Sequence, residues 1–274
     1  MMVGIDMSRN LFRRLKVVIT LVAAYFAIVS KSNIDWNNLT NNVVDSKILW
    51  ELIYDLSVGV LSAMVLVWFI DEINDKIKEA EARENERRII ERFDRIIQRH
   101  FKRYILLYYC VVTPMSERDF NNVRMHEKFM LKDMRELHYM TLLSTESLLV
   151  PSVVAFLNVE LEIKKEFCAI LKEQNFYYYK GFADILEDYI FASLGDDCRN
   201  NILSHRKMRN GKEPLINDVW RYLNDSADKD YEEFENGISD KVTIGLPYFQ
   251  LRMVMQKERN IILRYQEEIK KIRN

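Results

Sequence analysis

From Ile48 to Ile70 the chain reads ILWELIYDLSVGVLSAMVLVWFI, and the last fifteen or so of these residues carry no charge. As a helix this stretch is roughly 34 Å long, enough to cross a hydrocarbon core of about 30 Å. Trp50 and Tyr54 at one end and Trp68 at the other sit where interfacial aromatics belong. A run of this kind constrains the fold more than any other feature, because its backbone polar groups must all be satisfied within the helix.

A second apolar stretch lies upstream, from Leu15 to Ser30, broken only by Lys16. With Arg9, Arg13, Arg14 and Lys16 before its centre it also has the form of a signal peptide. The ending Ile28-Val29-Ser30-Lys31 lacks a small-x-small cleavage site, which favours an uncleaved helix over about 11–31. Basic residues precede this stretch, while only Lys31 and Lys47 lie between the two. The positive-inside rule then places both termini in the cytoplasm and the Asn-rich loop outside. The expected plan is a membrane hairpin over 1–70, with spans at about 11–31 and 48–70.

Glu51 and Asp55 stand at i, i+4 near the outer end of the second span. In an assembly of several copies they would form an acidic ring at a pore mouth; in a single copy they would be hydrated at the headgroups. Gly59 with Ala63, and Ala23 with Ala27, are small-x-x-x-small pairs that permit close helix contact.

No Gly or Pro occurs between Gly59 and Pro114, so the second span is expected to continue as a charged helical stalk over 71–113. Glu72 with Lys76, Glu79 with Arg83 and Glu84 with Arg88 are i, i+4 pairs in the favoured order. Farther on, Ile90, Phe93, Ile97, Phe101, Ile105 and Tyr108 form an amphipathic stripe that must pack on something. Beyond Pro114 helices are expected over about 117–143, from Pro151 to about 174, over 176–194, 197–209 and 214–226, and after Pro247 to the end. Residues 114–274 thus read as a helical cytosolic domain. With 7 Gly and 4 Pro in 274 residues and no convincing alternation, the fold class is all-α.

A net charge of −1 gives no global attraction to nucleic acid. Cys110, Cys168 and Cys198 form no C-x-x-C, which fits a reducing compartment. There is no phosphate loop, zincin motif or nucleophile elbow, so no metal or cofactor is expected and an enzyme is the weaker reading.

One constellation carries chemistry. Arg199-Asn200-Asn201-Ile202-Leu203-Ser204-His205 resembles the R-φ-x(4–6)-H motif of HEPN ribonucleases, helical proteins that dimerise to join two motifs. The resemblance implies metal-independent RNA cleavage, with His205 acting on the 2′-hydroxyl or leaving oxygen, Arg199 stabilising phosphate charge and Asn200 orienting the pair. Arg206, Lys207, Arg209 and Lys212 add positive charge beside it, suited to phosphate contacts, to anionic lipid or to a solvated helix end.

The whole layout, with segments such as NLFRRLKVVITLVAAYF and LSAMVLVWFIDEINDK, resembles the two-span membrane effectors of bacterial anti-phage (retron and abortive-infection) systems. That resemblance implies an inner-membrane toxin, homo-oligomeric in the bilayer and restrained by a reverse transcriptase with its RNA–DNA hybrid. Phage attack would release it to perturb the membrane. A tethered HEPN-like ribonuclease and a non-toxic membrane scaffold or sensor are the alternatives.

Overall fold

The computed structural model describes residues 3–31, 46–139, 150–205, 215–236 and 244–273. Among these the structure is helical and contains no strand. The helices are α1 (Val3–Lys31), α2 (Ser46–Val112), α3 (Ser152–Glu173), α4 (Lys180–Ala192), α5 (Asp196–Ser204), α6 (Leu215–Asp225), α7 (Ala227–Glu235) and α8 (Leu246–Arg273). The chain divides into two compact units, Met1–Ala82 and Arg83–Asn274. The boundary between the units falls within α2, between Ala82 and Arg83, so this one helix contributes to both.

In the first unit, α1 and the beginning of α2 run antiparallel. Lys16 is ion-paired with Asp71, and Lys31 reaches Tyr54, with its ammonium 3.5 Å from the hydroxyl and 4.7 Å from the ring centroid. Partly buried positions form one stripe on each helix. On α1 they include Thr20, Ala23, Ala24 and Ala27, and on α2 they include Trp50, Ile53, Tyr54, Ser57, Val60, Leu61 and Met64. Ala23 and Ser57 are the most enclosed, each 7% exposed. Small residues on α1 thus supply the contact, as the Ala23–Ala27 spacing allows. Gly59 and Ala63 do not take part: both are exposed, and a Cβ added at Gly59 would meet nothing within 4 Å.

Leu52, Leu56, Val65, Leu66 and Phe69 are each more than 60% exposed. Apolar surface this continuous is stable only out of water. Among the described residues one helix, that containing Ile48–Val112, is long and apolar enough to cross a membrane; its best window has a mean hydropathy of 2.0 and is 6% buried. The described part of α1 does not meet the same measure.

The first unit ends at Ala82 and the second begins at Arg83, both within α2. Residues 71–83 are exposed, and the Glu72–Lys76 and Glu84–Arg88 pairs form at 3.4 and 3.1 Å. Arg83 lies over the Tyr179 ring, 5.9 Å from its centroid. From Ile90 onward the amphipathic stripe is the spine of the core: Ile90, Ile97, Phe101 and Tyr108 are essentially unexposed. Phe101 meets Phe167 of α3 and Tyr265 of α8 edge-on at 6.2 and 5.1 Å, and Phe167 meets Tyr189 of α4 at 5.1 Å. Each such ring contributes about 1.5–3 kcal/mol by burial, and edge-to-face pairing adds to it. Asp94 of α2, 1% exposed, accepts from Tyr265 (3.0 Å), Gln98 (3.1 Å) and Arg273 (2.5 Å), fastening the last turn of α8 to α2.

The helix expected over 117–143 is absent from the described part, which ends at 139. Instead the chain after Pro114 is irregular, with short 3-10 turns at Met115–Glu117 and Leu131–Met134. Local side chains compete for the backbone here. Asp119 accepts the Asn121 N–H at 2.9 Å, Asp133 accepts that of Met130 at 2.8 Å, and Asp228 of α7 accepts those of Leu131 and Lys132 at 2.6 and 3.2 Å. Arg118 donates to the carbonyls of Cys110 and Thr113 at 2.7 and 2.9 Å, so it caps α2 from beyond its end.

Candidate functional site around Arg199 and His205

Short α5 opens after Gly195 with Asp196 and Asp197 in its first turn, where acidic residues complement the helix dipole. Arg199 and His205 are six residues apart, about 120° around the helix from one another. Their side chains accordingly leave in different directions, towards α3 and towards α8.

Arg199 is buried. Its guanidinium is ion-paired with Glu160 of α3 and donates to the Leu157 carbonyl at 2.5 Å and the Leu194 carbonyl at 3.4 Å. Glu160, wholly unexposed, also accepts from the Ser193 hydroxyl and from the Leu194 N–H at 3.2 Å. A group meant to stabilise a substrate phosphate must reach the substrate with its charge free. Arg199 does neither in this arrangement; its guanidinium holds α3, the α4–α5 link and α5 together. Asn200 is exposed and has no part in this arrangement.

His205, at the C-cap of α5, meets Tyr248 in the first turn of α8. Its Nδ1 lies 2.8 Å from the Tyr248 hydroxyl, and the two rings stack 5.7 Å apart. The same hydroxyl lies 2.8 Å from Nε2 of His138, which is 5% exposed. Tyr248 has one proton to give, so it donates to one imidazole and accepts from the other, and the two tautomers are complementary. Burial holds the His205 imidazole below its ordinary range. Burial, followed by the nearby Cys198 thiol, pushes the Tyr248 phenol far up. Cys198 itself is raised to about 11 by burial against the opposing pull of Arg199, so it is an inert thiol.

No family model matches the chain, and no curated protein or solved structure is significantly similar to it. The site therefore rests on its own geometry.

Among the described residues no group of three or more His, Cys, Asp and Glu could hold a metal ion. The remaining histidines lie elsewhere: His126 faces Thr113 at 3.3 Å and stacks on Tyr109, and His100 faces Glu162 at 3.7 Å. Arg206, Lys207, Arg209 and Lys212 lie outside the described residues. Of the aromatic run before α4, Phe176 packs on Phe182 in the core, while the N–H groups of Tyr177 and Tyr178 donate to Glu86 at 3.1 and 2.9 Å. Glu51 and Asp55 are exposed on the side of α2 turned away from its partly buried stripe.

The His138–Tyr248–His205 joint has a measurable acid sensitivity. Because His205 has a lowered value when folded, the unfolded chain takes up a proton first as pH falls below 6.5. The stability it contributes is complete above 6.5 and is lost as pH falls through the lowered value. Urea midpoints from about pH 8 to 5 should fall, and His205→Gln should flatten part of that fall. Tyr248→Phe leaves two imidazole nitrogens unpaired and should cost about 1–3 kcal/mol. An unchanged midpoint in Tyr248→Phe would remove the joint from the account.

Proposed function

We propose that this protein is a membrane effector: α2 is its span, the second unit is its regulatory body, and its output is loss of membrane integrity when several copies associate. The observation that carries the reading is α2 itself. One unbroken helix supplies an apolar, lipid-ready segment and then the spine of a folded helical core. On that segment, the side opposite the partly buried stripe exposes Glu51, Asp55, Gly59 and Ala63. Lipid tails offer carboxylates no partner, whereas the same face of neighbouring copies can share water between them and pack closely at the small residues.

In this reading α1 returns antiparallel to α2 as the second arm of a hairpin. Both termini lie in the cytoplasm of a bacterial cell, with the hairpin in the inner membrane. The resemblance to retron and other abortive-infection effectors supplies the setting: a toxin restrained by a reverse transcriptase with its RNA–DNA hybrid. The burial of Arg199 favours this over the ribonuclease.

The test is inducible expression in which a membrane-potential dye and RNA integrity are followed together. Depolarisation with intact RNA is the expected result. Replacing Glu51 with Gln and Asp55 with Asn should keep the protein in the membrane while weakening cation passage. Fragmented RNA with an intact potential would support the ribonuclease, and neither effect would support a scaffold or sensor.

A further inference from the structure

Two carboxyl groups meet in the core of the second unit, and each interrupts an apolar stripe. Glu160 stands on the α3 face formed by Phe156, Ile163 and Phe167, and Glu258 on the α8 face formed by Leu251, Met255, Ile262 and Tyr265. Both are wholly unexposed. The groups that face them come from every neighbouring element: Tyr104 from α2, Tyr189 from α4, Ser193 and the Leu194 N–H from the α4–α5 link, and Arg199 from α5. Only one of these, Arg199, brings a positive charge.

The donor count is uneven. Glu160 already accepts from Ser193, Leu194 and Arg199. Glu258 accepts at Oε2 from the Tyr104 hydroxyl at 2.7 Å, while its Oε1 and the Tyr189 hydroxyl face one another without reaching ordinary hydrogen-bond geometry. A second carboxylate here would leave one negative charge and one acceptor uncompensated in a dry interior. A hydrogen on Oε1 removes both faults at once, since the neutral acid can donate towards Glu160 or Tyr189.

We infer that the second unit folds around one trapped proton, carried on Glu258 beside the Glu160–Arg199 pair, and that this proton is a latch whose loss loosens the meeting point of α2, α3, α4, α5 and α8. Burial, and next the Glu160 charge, push the Glu258 carboxyl well above the ordinary range. The folded state then holds more protons than the unfolded chain above pH 4.5, so stability falls as pH rises until the folded value is passed. The latch is independent of whether the first unit forms pores.

The experiment is chemical unfolding of the full chain in detergent micelles, followed between about pH 5 and 9, for the wild type and for Glu258→Gln, which keeps shape and hydrogen bonding without a titrating proton. The advantage of Glu258→Gln should grow by up to tenfold in the unfolding constant per pH unit. The two proteins should converge near the ordinary carboxylate range. Infrared difference spectra of the wild type near neutral pH should also show the carbonyl band of a protonated carboxylic acid that shifts in heavy water. Parallel pH profiles, or the absence of that band, would overturn the inference, and the band test stands even if the variant does not fold.

Discussion

Exchanging Arg199 for alanine is expected to remove a large fraction of the stability of the second unit rather than a catalytic step. Arg199 is 7% exposed, and its guanidinium satisfies Glu160 together with two carbonyls, those of Leu157 and Leu194. Breaking a buried ion pair from one side costs about 3–5 kcal/mol, because the other charge stays in the interior. Against a total of about 5–15 kcal/mol for a typical domain, that is a large fraction. The effect should appear as a lower Tm and poor accumulation. Replacing both partners, Arg199→Met with Glu160→Leu, should recover part of the loss, since an apolar pair leaves no charge stranded. A folded Arg199→Ala protein with wild-type Tm would show that the pair is not structural. For the same reason, loss of toxicity in Arg199→Ala cannot identify a nuclease unless the protein level is measured beside it.

Ala63→Arg should be the most damaging single change in the first unit. Ala63 lies on the exposed side of the apolar segment, away from the stripe that includes Ser57. Arginine at a span centre costs roughly 2.5–3.5 kcal/mol on insertion scales, and at this position it also blocks close approach of a second helix. Retention in the membrane fraction and depolarisation should both fall sharply. His205→Ala, at the edge of the second unit, should spare depolarisation wherever the protein accumulates. Intact depolarisation in Ala63→Arg together with none in His205→Ala would reverse the assignment of effector and body.

The helical class and the reach of α2 were legible because their signals are local: fifty-odd residues without Gly or Pro, then Pro114. Pro151 and Pro247 likewise mark the starts of α3 and α8. The segment after Pro114 misled because Asp119, Asp133 and Asp228 redirect its backbone, and Asp228 is nearly a hundred residues away. The packing of α2 was half legible: the stripe from Ile90 announced a partner, but the sequence could not say that α3 and α8 are that partner. At the candidate site, Arg199 and His205 looked like a pair because spacing is all a sequence displays. Glu160 and Glu258 were open to discovery, since a carboxylate on an otherwise apolar helical face is a warning of a buried polar partner. Tyr248, which joins two histidines from distant segments, offered no such sign.

The clasp between Arg273 and Asp94 has a consequence for how the protein is made. Core residues of the second unit extend to Ile272, and their partners on α2 begin at Ile90. At about 5–20 residues per second, the ribosome needs on the order of 10 to 40 s to travel between them. For most of that interval the apolar segment ending near Ile70 has left the ribosome, while Ile90, Ile97 and Phe101 wait without the helix that covers them. In the proposed membrane reading, insertion then precedes folding by the order of synthesis alone, and the spine of the second unit stays uncovered until α8 arrives.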